Sequence, residues 1–332
     1  MVQFFKVVAL VLFGLILLSL SLWGVALLYY QVSSSEISKI IIISSFSFIS
    51  IATLISLFFY RWRWKIVSLY SVVFISLLFW YSNITPSNDR AWQKDVAILS
   101  YATQNYNLIT LHNIRNFTYS SETKYKVDYY DRTFDLDKLS GVDVVAVYWM
   151  GPSVAHIFLT FSFEGGKHLA ISIETRKEVG ESYSPLAGFF RKYELYYVVA
   201  DEKDVIRLRT NFRHNPVEDV YIYPAYGTKE EARELFLVYM KQINRLKKHP
   251  EFYNTLTTNC TTAIWKSTYE QLKNLSFSWK ILLSGHFPEY LYENGRLDAD
   301  GLSFLELQKK AYVNEKAKKV VKIENFSKAI RE

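Results

Sequence analysis

Apolar residues fill the start of the chain almost without interruption. Val7–Tyr30 and Ile40–Tyr60 carry no charge, and Ile66–Ile84 is broken only by serines, two tyrosines and Asn83. As helices, all three are long enough to cross a hydrocarbon core of about 30 Å. The first is too long for a cleaved leader and is followed by two more spans. After Asn83 the pattern changes. Residues 83–92 hold turn formers, and Asp89–Thr103 places Trp92, Val96 and Leu99 at the spacing of a short helix. Leu108–Tyr119 is ambiguous. Ser120–Ser140 is polar, rich in Tyr and Asp, and reads as a surface excursion or lid. Strands are then predicted at Val142–Met150, Val154–Phe163, His168–Thr175, Tyr193–Ala200, Val205–Asn211 and Val220–Tyr223. Thr228–His249 is predicted to be a helix, with Thr228 and Glu231 as a capping box and Pro250 as its stop. A helix beginning near Cys260 should end near Lys273, with Ile264, Tyr269 and Leu272 holding it against the sheet. Leu302–Tyr312 is a further helix, and the Lys-rich tail reads as a solvated face. The pattern thus divides the chain into a membrane part, 1–84, and a soluble part, 85–332.

Alternation in two of the strands can be tested as a hairpin. Ala155, Ile157, Leu159, Phe161 and Phe163 form one apolar face, while Val154, His156, Phe158, Thr160 and Ser162 form a mixed one. In the next strand Leu169, Ile171 and Ile173 alternate with His168, Ala170, Ser172 and Glu174. A loop over Gly165–Lys167 pairs Phe163 with Leu169 and Phe161 with Ile171, so the apolar faces coincide. In that register Glu174 lies diagonal to His156 on the same face, able to orient the imidazole directly or through another residue.

Charge adds topology. The formal net charge is +7, and more than half of it comes from Lys6, Lys39, Arg61, Arg63 and Lys65 set against Glu36 in the membrane part. The soluble part is close to balanced, which does not suit nucleic-acid binding. The RWRWK loop at 61–65 should face the cytoplasm by the positive-inside rule. That places the N-terminus inside and the soluble part outside, against the membrane. Cys260 is the only cysteine, so no internal disulfide is possible. His112, His214, His249 and His286 are scattered without ligand spacing, and neither metal nor cofactor is expected.

Cys260 sits in YNTLTTNCTTAIW, residues 253–265, ahead of a helix-like run. A thiol at a helix N-terminus has its thiolate stabilised by free backbone N–H groups, and a neighbouring imidazolium adds to this. His156 is the candidate base. Thr258 or Asn259 can cap the helix, and the Cys260 amide or the Asn259 side chain can donate to an oxyanion. A lone cysteine is also commonly inert packing, and spacing alone does not decide between the two.

A resemblance sharpens the choice. RNFTY (115–119), DRTFDLDKL (131–139), YWMGPSVAHIFLTF (148–161), AISIETRKEVGESYS (170–184), FRKYELYYVVADEKDVIRLRTN (190–211) and EFYNTLTTNCTT (251–262) resemble the periplasmic catalytic domain of the Lnb family. These are bacterial lipoprotein N-acyltransferases. The family is similar to permuted papain-like (NlpC/P60-related) thiol enzymes, in which the histidine strand precedes the cysteine helix. The resemblance implies an α+β fold with an antiparallel sheet and a nucleophile helix, behind three transmembrane helices. It implies Cys260 as nucleophile, His156 as base and Glu174 as third residue, supported by Asn259, Thr258 and Tyr148. It also implies a phospholipid acyl donor, a diacylglyceryl lipoprotein acceptor and an inner-membrane location with the catalytic domain in the periplasm. A cysteine peptidase or amidase acting on peptidoglycan, a phospholipase, and a non-catalytic membrane-anchored scaffold are the competing readings.

Overall fold

The computed structural model describes residues 1–33, 35–59, 61–272 and 275–332, with the backbone alone for 269–272. The chain divides into two compact units, Met1–Pro86 with Leu186–Lys192, and Ser87–Pro185 with Tyr193–Glu332.

The first unit is built on α1 (Val2–Gln31), α2 (Glu36–Ser56) and α3 (Arg63–Ser82). All three are long and apolar enough to cross a membrane. Tyr60, expected to end the second span, lies outside the described residues. Gly24 lets α1 approach α2: a Cβ there would stand 2.6 Å from the Phe46 ring. Ser21 Oγ donates to Tyr70 Oη at 3.0 Å, which satisfies a buried hydroxyl. The short return Leu186–Lys192 belongs to this unit, a feature the apolar pattern does not signal. Phe190 stacks on Tyr30 at 5.4 Å, and Arg191 donates to the Tyr81 carbonyl at 3.0 Å.

The second unit is α+β. Its strands are β1 (Tyr101–Asn105), β2 (Leu108–Arg115), the small pair β3 (Thr118–Tyr119) and β4 (Tyr125–Lys126), β5 (Tyr129–Asp135), β6 (Leu139–Tyr148), β7 (Ala155–Phe163), β8 (Lys167–Arg176) and β9 (Glu194–Ala200). Then follow α4 (Glu202–Arg207), β10 (Asp219–Pro224), α5 (Lys229–Lys248), α6 (Cys260–Leu272), α7 (Trp279–Leu282), α8 (Phe287–Glu293), α9 (Phe304–Ala311), α10 (Asn314–Lys318) and α11 (Phe326–Ala329). The main sheet runs β1-β2-β9-β8-β7-β6-β10, with β5 also on β2. Every pairing is antiparallel except the single parallel contact of Arg115 with Ala200.

Both faces of this sheet are covered. Phe161 and Phe163 meet Phe236 of α5 edge-on, at 5.1 and 5.6 Å between centroids. The opposite face, with Phe158, Val145 and Val198, packs under Val205 and Ile206 of α4 and under Val313, Ala317, Phe326 and Ile330. Each of the Val, Ile and Phe side chains, fully buried, stabilises the fold by about 1.5–3 kcal/mol. α5 carries the expected capping box.

Four expectations are corrected. Asp89–Thr103 is not a helix: Trp92 bridges Glu178, and the segment ends in β1. Ser120–Ser140 is not a free lid, because β5 pairs with β2 from Leu108 to Arg115. Val205–Asn211 is helical, not a strand: α4 runs into a π-turn at Leu208–Phe212, closed by Arg213 N donating to Leu208 O at 3.1 Å. The Lys-rich tail is not merely solvated. Arg331 near its end donates to Asp143 at 2.7 Å and Glu202 at 2.6 Å, while Phe326 and Ile330 are buried. Lys273, the expected end of the Cys260 helix, lies outside the described residues, as do the side chains of Tyr269 and Leu272. Ile264 is buried.

The β7–β8 register also differs from expectation. The structure pairs Phe163 with Lys167, Phe161 with Leu169 and Leu159 with Ile171, two residues away from the expected match. Face-matching fixes register only modulo two, so the parity is right and the offset is not. Extended along the strands, the observed register sets Glu174 opposite His156 instead of diagonal to it.

Candidate active site

The β7–β8 pairing stops at Leu159 and Ile171, although both strands continue, β7 back to Ala155 and β8 on to Arg176. Cys260 enters at this unpaired end. The backbone amides of Ile157, in β7, and of Thr261, in the first turn of α6, both favour the Cys260 thiolate, as the free N–H groups of a helix start allow.

Asn259 sets the angle of entry. Its Oδ1 accepts from Thr262 N at 2.8 Å and from the Thr261 and Thr262 hydroxyls at 3.0 and 2.9 Å. Its Nδ2 donates to Thr255 O at 2.7 Å. Such a cap contributes about 1 kcal/mol. These bonds use the Asn259 Oδ1 and one of the two Nδ2 hydrogens for structure. Upstream, Asn254 Oδ1 accepts from Leu256 N and Thr257 N, and Thr255 Oγ1 donates to Pro185 O, fixing the loop before the helix.

His156 and Cys260 act on one another electrostatically, each shifting the other's titration. His156 Nε2 lies 2.6 Å from Ser172 Oγ, and Ser172 Oγ donates to Glu174 Oε1 at 2.8 Å. Since the hydroxyl proton goes to the carboxylate, Ser172 accepts from Nε2–H. That tautomer leaves Nδ1 as the ring nitrogen for the thiol. Glu174 Oε1 also stands 3.4 Å from Nε2 and accepts from Arg209 Nη2 at 3.2 Å.

Electrostatics follow this chain. Burial opposes charge on His156, but Cys260 and Glu174 outweigh it, and the imidazole pKa is raised. Burial likewise opposes the thiolate. His156 and the Ile157 and Thr261 amides prevail, and the Cys260 pKa is lowered. Glu174 is held well below the usual carboxylate range: burial works against this, and His156 and Arg209 overcome it. All three directions favour a thiolate–imidazolium pair.

Two expected support residues make their contacts with other groups. Thr258 has its hydroxyl 3.5 Å from Thr257 Oγ1 and is held through its backbone by Asn254 O. Tyr148, which ends β6 paired with Ala155, donates to Gly285 O at 2.7 Å and lines a cavity with Gln308 and Val217. Two further residues, not expected from the sequence, join the site. Ser172 was on the correct face of its strand but had no role. Arg209 fell in a segment taken for a strand, and the π-turn delivers it to Glu174, over the Phe158 ring at 5.9 Å.

Asp143, His168 and Glu202 also converge, with ligand atoms within 4.8 Å of one another. Arg331 bridges the two carboxylates, and Thr160 Oγ1 donates to Glu202 at 2.7 Å. Arg331 ties this cluster to the C-terminal segment.

Residues 125–285 match the family model of the Lnb N-terminal periplasmic domain. This is the Lnb-type family that the motifs resemble. The match contains Cys260, His156, Ser172, Glu174 and Arg209. With three apolar helices ahead of it, it supports an inner-membrane protein bearing a periplasmic domain. No curated protein and no solved structure matches the chain.

Proposed function

We propose that the protein is a thiol-dependent lipoprotein N-acyltransferase. The observation that carries this reading is the His156–Ser172–Glu174 chain on β7 and β8, with Cys260 of α6 and His156 favouring charge on one another. A packing cysteine in a scaffold has no need of an imidazole held by an oriented carboxylate. The Lnb match supports a lipoprotein-modifying role, and the apolar helices tie the chain to lipid.

In the first step the Cys260 thiolate attacks an ester carbonyl of a phospholipid. The Cys260 amide, in the first turn of α6, is the candidate oxyanion donor. Collapse breaks the ester C–O bond, His156 protonates the leaving oxygen, and a lysophospholipid departs. In the second step the α-amine of a diacylglyceryl-cysteine attacks the thioester. His156 takes the amine proton, the C–S bond breaks, and the thiolate is restored. The N-terminus would be cytoplasmic and the domain periplasmic, as the RWRWK loop implies.

The test supplies purified full-length protein with an acyl-labelled phospholipid and a diacylglyceryl-cysteine peptide. Label in amide linkage on the peptide is expected. Label released only as free fatty acid would instead identify a phospholipase, and cleavage of a peptidoglycan stem with no lipid turnover would identify a peptidase or amidase.

A further inference from the structure

His156 and Glu174 form one wall of a cavity of about 220 Å³ whose other polar lining includes Lys177, Arg209, Arg213 and Glu218. The chain makes this cluster from two pieces. The π-turn sets Arg209 and Arg213 four residues apart, and Lys177 is the first residue beyond β8. Glu218 accepts from Arg209 Nη1 at 3.2 Å and from Arg213 Nη1 at 2.8 Å, while Glu174 takes Arg209 Nη2. Donors remain after this pairing. Arg209 Nε and Arg213 Nε are both buried without a hydrogen-bond partner among the described residues. Arg213 Nε also stands 3.6 Å from the half-exposed Glu122, an ion pair too long for a hydrogen bond. The Lys177 ammonium has no ion pair among the described residues. Arg209 itself is 6% exposed.

Buried donors without partners call for an explanation, and a guanidinium fork beside an ammonium matches the oxygens of a phosphate. We propose that the Lys177–Arg209–Arg213 cavity is an anion subsite that receives the phosphodiester of the acyl-donor lipid. It lies next to His156, so phosphate bound there would hold a glycerol ester close to Cys260. This rests on the acyl-transfer reading above, and it adds the headgroup determinant. A donor with a phosphate is then favoured over diacylglycerol, with Lys177 and Arg213 acting on KM and not on the chemical step.

The experiment uses full-length Cys260→Ala protein in detergent, which binds without turnover. Glycerophosphoglycerol, a soluble phosphodiester, is titrated calorimetrically, with inorganic phosphate as the second arm. The diester is expected to bind, and Lys177→Gln or Arg213→Gln to weaken it about tenfold or more, the scale of one charged hydrogen bond. Lys177→Gln breaks no ion pair, so it keeps the test informative if Arg213→Gln does not fold. Absence of diester binding, or equal binding in the variants, overturns the subsite. Inorganic phosphate binding as tightly as the diester overturns the lipid assignment in favour of a free-phosphate site. Wild-type protein given phospholipid separates this from the broader reading. A Cys260 acyl adduct whose KM is unchanged in Lys177→Gln sinks the subsite alone. Diester binding with no adduct in the wild type retains the subsite and sinks acyl transfer.

Discussion

Replacing Glu174 by Gln keeps the shape and removes the charge behind His156. A unit charge 3.4 Å from Nε2 attracts an imidazolium by about 5 kcal/mol at an effective dielectric of 20. That is a ceiling, because Arg209 sits 3.2 Å from the same oxygen and offsets much of it. Ser172 also remains to hold the ring. The residual effect should match one charged hydrogen bond, about 1.5–3 kcal/mol, or about 10–100-fold in rate. Alkylation of Cys260 by iodoacetamide reads it directly. With one cysteine in the chain, a single intact-mass adduct reports one site. At neutral pH, Glu174→Gln should react about 10–100-fold more slowly than wild type. The sign follows from the pair: without Glu174 the His156 pKa falls, the imidazolium is less populated, and the thiol pKa rises. A Glu174→Gln protein that is folded and alkylated within twofold of wild type would refute the role given to this carboxylate.

Other outcomes follow from the same geometry. In His156→Gln, the imidazole that lowers the Cys260 pKa is lost while burial remains, so the pH inflection of alkylation should move upward from its wild-type position. Asp204 accepts from Arg115 at 2.8 and 3.1 Å, from Phe117 N at 2.7 Å and from Tyr119 Oη at 3.2 Å. Asp204→Asn leaves the Arg115 charge buried and uncompensated, at a cost of about 3–5 kcal/mol measurable by denaturant unfolding of the full chain.

The sequence made some of this legible for physical reasons. The Thr228–Glu231 capping box and the buried stripe of α5 are local signals, and local signals survive tertiary context. The face of β7 carrying Ile157, Leu159 and Phe161 was legible because alternation has a fixed period. The offset of the β7–β8 register was not, since a shift of two preserves every face. The helical turn at Val205–Asn211 was hidden because its apolar residues also satisfy a strand pattern, and burial under the C-terminal segment decided the outcome. That error concealed Arg209. Ser172 was visible only as a small residue on a mixed face. Its place between His156 and Glu174 depends on the true register. The capping role of Asn259 was readable, but its bonds to Thr255, Thr261 and Thr262 were not. Nothing in the pattern marks Leu186–Lys192 as part of the membrane unit.

The central claim is that Cys260 carries the acyl group. Purified full-length protein incubated with phospholipid, without an acceptor, should gain the mass of one acyl chain. The adduct should be released by hydroxylamine as a thioester, and be absent in Cys260→Ala and His156→Ala. An acyl adduct that persists in Cys260→Ala would contradict the account.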